Sequence, residues 1–154
     1  MKVLVAGSGT WGTALAHVAR KAGQDVIIHC RRQERAAELS AGRHSFLPEI
    51  PLGSGYQVCV AGTDPVPEVD LVISAIPTQM IRGYLEGPGA DLPRHVPWIS
   101  ASKGLEKGQK CLPTQILRQC GVTTEPGVLS GPSHAEEVLR DLPTAVVFAH
   151  PDED

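Results

Sequence analysis

The 154-residue sequence predicts an α/β fold: an open, mostly parallel, doubly wound sheet with helices on both faces. Three observations predict it. Short apolar runs alternate with segments of helical periodicity along the whole chain, the rhythm of successive βαβ units. Hydrophobic residues make up 42% of the chain but aromatics only 4%, so the core must be built from Val, Ile, Leu and Ala. That composition suits parallel strands buried on both faces. Finally, a glycine-rich turn joins the first apolar run to the first helical segment.

Each element follows in order. Val3–Ala6 reads as a buried strand, and residues 7–10 turn into a helix over Trp11–Ala22. Within that helix Leu15, Val18, Ala19 and Ala22 recur at helical spacing, and Gly23 is its stop signal. Val26–His29 is the second strand, Glu34–Ser40 a short helix, and residues 43–55 a loop rich in Pro and Gly. Val58–Ala61 is the third strand and Leu71–Ala75 a strong fourth, stopped by Pro77. A helix is expected over Thr78–Glu86, then a loop over 87–97. Trp98–Ser100 is the fifth strand, Pro113–Cys120 a helix, and Val128–Leu129 the core of the sixth strand. Ser133–Arg140 reads as helix and Thr144–Ala149 as a last strand.

The length is that of one domain, by a prior of roughly 100–200 residues each. The net charge of −3 and the lack of a basic run interleaved with aromatics argue against a nucleic-acid partner. No apolar stretch approaches the ~18 residues of a membrane span, and the N-terminus lacks the apolar core of a signal peptide. Cys30, Cys59, Cys111 and Cys120 show no Cys-x-x-Cys spacing and read as reduced thiols. The expected location is the cytoplasm.

Gly7-Ser8-Gly9-Thr10-Trp11-Gly12 is a Gly-x-Gly-x-x-Gly directly after a strand and opening a helix, the context that gives this motif meaning. Gly7 permits the tight turn, Gly9 lets the backbone approach a pyrophosphate, and Gly12 allows close packing of helix on strand. The helix N-terminus then offers free N–H groups and a positive dipole end to that anion. The reading is a Rossmann-type dinucleotide-binding domain. An NAD-selective site places Asp or Glu at the end of the second strand; here His29-Cys30-Arg31-Arg32 stands instead. Two guanidinium groups suit the 2′-phosphate of NADP, so NADP is the expected preference, with NAD as the second cofactor.

Further motifs narrow the choice. They are Trp11-Gly12-Thr13-Ala14, Phe46-Leu47-Pro48, Ala75-Ile76-Pro77, Ser102-Lys103-Gly104-Leu105-Glu106 and Leu129-Ser130-Gly131-Pro132-Ser133-His134-Ala135-Glu136-Glu137. In order and spacing the chain resembles, over essentially its whole length, the N-terminal domain of bacterial NAD(P)-dependent glycerol-3-phosphate dehydrogenase. The resemblance implies interconversion of dihydroxyacetone phosphate and sn-glycerol 3-phosphate, small-molecule substrates that feed phospholipid synthesis. It implies cofactor contacts at Thr10, Trp11, Arg31, Arg32 and Ala135, contact with both cofactor and substrate at Lys103, and substrate contacts at Gly131 and Ser133. Pro77 joins Gly7, Gly9 and Gly12 as a cofactor-side residue, because the end of the fourth strand lies where the nicotinamide ribose would pack; it is equally explained as a strand terminator.

Lys103 suits hydride chemistry, since an ammonium stabilises charge on a ketone oxygen or holds the substrate's hydroxyls; the alternative is a surface lysine beside Glu106. Ser133, with Glu136 three residues on, also fits a capping box. His17 and His134 read as structural or solvated, with no second ligand at metal spacing. In the family a second, all-helical domain follows, carrying the general acid/base and most of the phosphate grip, and a homodimer is allowed for the full-length enzyme. Those positions lie beyond Asp154, so the chain is expected to be a fragment with no catalytic acid/base of its own and little turnover. Around Leu47-Pro48 the family often has Asn and Tyr, where this chain has Arg43 and Phe46. Two other readings stay open: a stand-alone NADP-binding or redox-sensing module without catalysis, and a sibling dehydrogenase such as ketopantoate reductase.

Overall fold

The computed structural model describes residues 1–53 and 55–152. Ser54 of the Pro/Gly loop and the last two residues of the polar ending fall outside the described residues. Seven strands form one sheet in the order β3-β2-β1-β4-β5-β6-β7. They are β1 (Lys2–Ala6), β2 (Asp25–Cys30), β3 (Gln57–Val60), β4 (Leu71–Ser74), β5 (Trp98–Ser100), β6 (Gly127–Ser130) and β7 (Val147–Ala149). The helices are α1 (Thr10–Lys21), α2 (Gln33–Ser40), α3 (Ile81–Glu86), α4 (Pro113–Gln119) and α5 (Ala135–Leu139).

The side-chain alternation of β1 shows how the layers arise. Val3 and Val5 belong to one buried cluster with Ala14, Leu39 and Leu139, whereas Leu4 and Ala6 belong to another with Ile81, Ile116 and Trp98. Period-2 alternation thus sends successive residues into cores on opposite faces, one with α1, α2 and α5 and the other with α3 and α4. Strands buried on both faces read as unbroken apolar runs. β1 pairs in parallel with β2 (Ala6 opposite His29) and with β4 (Ala6 opposite Ser74), so β1 is central.

Three expected boundaries move. β7 begins at Val147 rather than Thr144, and it runs antiparallel, with Ser130 opposite Val147. Residues before Val147 would have to pair beyond Ser130, where Gly131 turns the chain with φ +152°. The segment after Pro77 is a single 3-10 turn, Thr78–Met80, before α3 proper. Its side chains bond outward: Thr78 Oγ1 donates to the Lys103 carbonyl (2.7 Å) and Gln79 Nε2 to the Leu105 carbonyl (2.7 Å). Last, α5 starts at Ala135 with His134 as an N-cap that makes no side-chain bond. The capping box at Ser133 does not form, because its hydroxyl donates back to the Gly131 carbonyl (3.4 Å). Among the described residues no helix is long and apolar enough to cross a membrane, and no group of His, Cys, Asp and Glu is placed to hold a metal ion.

Candidate functional site

A parallel sheet has a crevice where neighbouring strands lead into helices on opposite faces, and here that point lies between β1 and β4. A cleft in two lobes opens there. The first, of about 300 Å³, is bounded by the glycine turn, the end of β2 through Arg31, and Pro77, Met80 and Tyr84. The second, of about 370 Å³, shares Thr10, Trp11, Ile76 and Pro77 with it and extends to Lys103, Ser133 and Ala135.

The three motif glycines do different work. Gly7 has φ +116°, and its N–H donates to the His29 carbonyl (3.0 Å); a Cβ there would lie 2.9 Å from the Ala75 oxygen. A Cβ on Gly12 would collide with the Gly7 carbonyl oxygen, so Gly12 sets the approach of α1 to the turn and does not line the cleft. A Cβ on Gly9 would meet no atom within 4 Å: its position faces open space in the first lobe. α1 begins there with no side-chain cap and no acid in its first turn. Its leading amides therefore await an external acceptor, and an anion is what the dipole favours. Trp11, on the shared wall, has a buried indole N–H with no partner among the described residues.

At the basic end, Arg31 and Arg32 are exposed, and neither pairs with a carboxylate among the described residues. The structure separates them. Arg31 borders the first lobe beside the glycine turn, whereas Arg32 faces a neighbouring hollow of about 350 Å³ with Arg35, Glu38 and Phe46. The floor of the first lobe holds a pair not anticipated from sequence: His29 Nδ1 lies 2.6 Å from the Tyr84 hydroxyl, both residues buried. Burial pushes the His29 pKa down, opposed by Asp91, and pushes that of Tyr84 up. The available signal was the strand's own alternation, which points His29 to the same side as Ile27, toward α3.

Lys103 closes the far end. Its ammonium donates to the Gly131 carbonyl (3.1 Å) and lies 5.9 Å from the centre of the Trp11 ring. The neighbouring Glu106 is not its partner: that carboxylate takes Arg82 Nε at 3.1 Å and Nη2 at 3.2 Å. The Ser102 hydroxyl donates to the Ile76 carbonyl (2.6 Å), joining the Lys103 loop to the end of β4. Lys103, Ser133 and Ala135 thus meet around one lobe, with Gly131 contributing its carbonyl oxygen. Of the two histidines read as structural, His17 bonds Asp141 (3.1 Å) and His134 caps α5.

The fold and this cleft define a Rossmann-type α/β domain with an anion-ready turn at its switch point. A family model described as NAD-dependent glycerol-3-phosphate dehydrogenase N-terminus matches residues 2–154, and the chain belongs to that family. A glycerol-3-phosphate dehydrogenase [NAD(P)+] from Bradyrhizobium sp. BTAi1 is 38% identical over 152 residues, covering 98% of this chain and 46% of the relative. Its counterpart from Desulfovibrio desulfuricans is 40% identical over 158 residues, covering 99% of this chain and 47% of the relative. The crystal structure of the Coxiella burnetii glycerol-3-phosphate dehydrogenase is similar with a TM-score of 0.82 at 25% identity, over 98% of this chain and 47% of that one. The yeast glycerol-3-phosphate dehydrogenase structure gives 0.75 at 27% identity, over 100% and 49%. The chain spans about half the length of the curated relatives it matches.

Proposed function

We propose that this chain is the cofactor-binding part of a cytoplasmic NAD(P)-dependent sn-glycerol-3-phosphate dehydrogenase that interconverts dihydroxyacetone phosphate and sn-glycerol 3-phosphate, with NADP preferred over NAD. The observation that carries the reading is one continuous cleft leading from Arg31 past the glycine turn to Lys103 and Ser133. The residues present fit a dinucleotide: an uncapped helix start, open space at Gly9, and an orphaned Trp11 N–H on the wall. Gly7, Gly9, Thr10 and Trp11 would hold the pyrophosphate, Gly12 keeping the helix close enough to do so. Arg31 would take the 2′-phosphate, with Arg32 adding charge from the adjoining hollow.

When bound, the nicotinamide supplies or accepts the hydride. This chain's own residues bind and orient. Ile76 and Pro77 form an apolar wall for the cofactor's ribose and exclude water from that side, and Ala135 closes the opposite rim. The Lys103 ammonium, with no carboxylate partner among the described residues, can give up the Gly131 carbonyl for a substrate oxygen and stabilise negative charge there. At the same lobe the Ser133 hydroxyl can donate to or accept from substrate hydroxyls, and the Gly131 carbonyl can accept from them. The general acid/base is assigned to the part of the relatives' length that this chain does not span. Burial pushes the Cys30 thiol up and that of Cys59 up to about 11, away from the reactive thiolate.

The test is calorimetric titration of the chain with NADPH and with NADH, each with and without dihydroxyacetone phosphate. Tighter binding of NADPH supports the reading, as does its selective weakening in Arg31→Ala by about tenfold, the worth of a charge-assisted contact. Equal loss for both cofactors would overturn the NADP assignment, and no binding of either would overturn the cofactor reading.

A further inference from the structure

The glycine turn is held from outside by a side chain that no cofactor motif predicts. His44 is buried in the loop after α2, and its ring nitrogens have complementary partners. Nδ1 faces two obligate donors, Arg35 Nη1 at 3.4 Å and the Phe46 N–H at 3.3 Å, so it must accept. Nε2 faces the Ser8 carbonyl oxygen at 3.3 Å, so it must donate. The partners therefore dictate the neutral, Nε2-protonated tautomer. These bonds are long, but His44 is 1% exposed, so bulk solvent has little access to compete with them.

Ser8 sits between the two glycines of the dinucleotide turn, and the Ser8 carbonyl and Gly9 N–H share one peptide plane. In a trans peptide the two point in opposite directions. A donor that holds the Ser8 oxygen on the α2 side therefore turns the Gly9 N–H toward the cleft, where Gly9 has no Cβ to obstruct it. We propose that His44 is a positioning residue for the dinucleotide turn, orienting the Ser8–Gly9 peptide so that its N–H meets the cofactor's pyrophosphate; this rests on the cofactor reading above.

The support behind His44 is built to keep that tautomer. Arg35, on α2, is 6% exposed; it pairs with Glu38 and lies 4.8 Å from the centre of the Phe46 ring. Glu38 also accepts the Ser45 N–H (3.3 Å), fixing the backbone next to His44. Leu47 and Ile50 anchor the same loop in the core. The charged groups facing the imidazole are Arg35 and Glu38. Protonating Nδ1 would set an N–H against the Arg35 and Phe46 donors, and burial together with Arg35 holds the pKa below its ordinary value. Because α2 starts just after Arg31 and Arg32, one network connects the pyrophosphate turn with the basic end of the cleft.

The test compares the unsubstituted chain with His44→Ala, His44→Gln and His44→Asn, measuring NADH and NADPH affinity alongside thermal unfolding. Gln keeps a donor near the Nε2 position, and Asn keeps only an acceptor near Nδ1. Ala and Asn are expected to weaken both cofactors equally, about five- to tenfold, the loss of one net hydrogen bond. Gln is expected to bind within about twofold of the unsubstituted chain, a difference small beside one hydrogen bond. NADH, which carries no 2′-phosphate to titrate, should bind the unsubstituted chain more weakly as pH falls toward the lowered His44 value, and the Gln variant should lose most of that dependence. Any dependence arising from His29, on the floor of the cleft, would persist in the Gln variant. Ala and Asn variants that lose thermal stability but bind NADH unchanged would overturn the role. If Ala does not fold, the Gln–Asn contrast decides. If none of the variants folds, a crystal structure of the unsubstituted chain with NADH in which the Gly9 N–H does not meet the pyrophosphate would overturn it. No NADH binding by the unsubstituted chain would overturn the cofactor reading itself and this role with it.

Discussion

Gly9 and Gly12 belong to one motif, yet substitution should separate them cleanly. Ala at Gly12 would drive its Cβ into the Gly7 carbonyl, and backbone cannot yield as a side-chain tip can. Gly12→Ala is expected to cost on the order of 1–3 kcal/mol in urea unfolding, as overpacking does. Ala at Gly9 meets open space and should leave stability within about 0.5 kcal/mol, the range of neutral surface changes. It should still weaken dinucleotide binding, because the added methyl occupies the approach of the pyrophosphate. Equal destabilisation by both would show that the turn is merely tight. The tight turn at Gly7 and the close packing at Gly12 were thus legible in the residue string, because they follow from backbone geometry near a helix start. The Arg35–His44–Ser8 chain and the His29–Tyr84 pair were not, because each joins residues far apart in sequence, and only the fold brings their polar atoms within reach.

The His29–Tyr84 pair also bears on stability. The folded-state pKa of His29 lies below the unfolded value of about 6.5. The stabilisation is therefore complete above the unfolded pKa and is lost as pH falls from there toward the folded value, where the unfolded chain binds the extra proton. The urea midpoint should decline between pH 7 and 5. Removing both polar partners together, in His29→Phe/Tyr84→Phe, should make that decline shallower; an unchanged slope would place the titration elsewhere. His44, whose pKa is lowered in the same sense, carries part of what remains.

Among the elements, the segment from Ser102 to Glu106 is the one whose motif divides most sharply between structure and chemistry. Glu106 receives Arg82 through two nitrogens, and Arg82 in turn donates to Gln119 (2.7 Å), so α3 and α4 both grip the loop. Gln79 adds a second clasp through the Lys107 N–H (2.8 Å). Lys103 is left free to reach across to Gly131. Glu106→Gln should lower the urea midpoint, since Arg82 loses its charged acceptor, and should loosen substrate coupling with little effect on NADPH affinity. An NADPH affinity that falls in step with stability would mean the clasp supports the whole cleft. Strands β1 to β6 and the long helices were legible within a residue or two, because each carries its own periodicity, whereas β7 begins three residues later than expected. The start of α5 was not: Ser133 and Glu136 stand at capping-box spacing, but the Gly131 carbonyl captures the hydroxyl first.

Over the whole molecule, the sheet is a parallel core with one antiparallel edge, and that edge has consequences for solubility. Alternation of strands and helices foretold the parallel part, because each crossover helix is visible in sequence. It did not foretell the direction of β7, which follows α5 but pairs with β6 by returning against it. Val147 is 68% exposed and Phe148 54%, and β7 has no neighbour on its outer side among the described residues. Phe148 is only half engaged: its ring covers the place where a Cβ on Gly127 would stand, while the rest faces solvent. An apolar edge with free backbone donors and acceptors is a template for pairing with other chains. Concentrated solutions should therefore scatter increasingly on warming, well below the unfolding midpoint. Val147→Lys, which places charge on that edge, should suppress the scattering and leave NADPH affinity unchanged, because β7 lies at the end of the sheet away from the glycine turn. Suppression accompanied by lost affinity would mean that the edge and the cleft are coupled through the Gly131 turn, whose backbone lies against Ala145 and Val146. Scattering that persists in the Lys variant would place the association elsewhere on the surface.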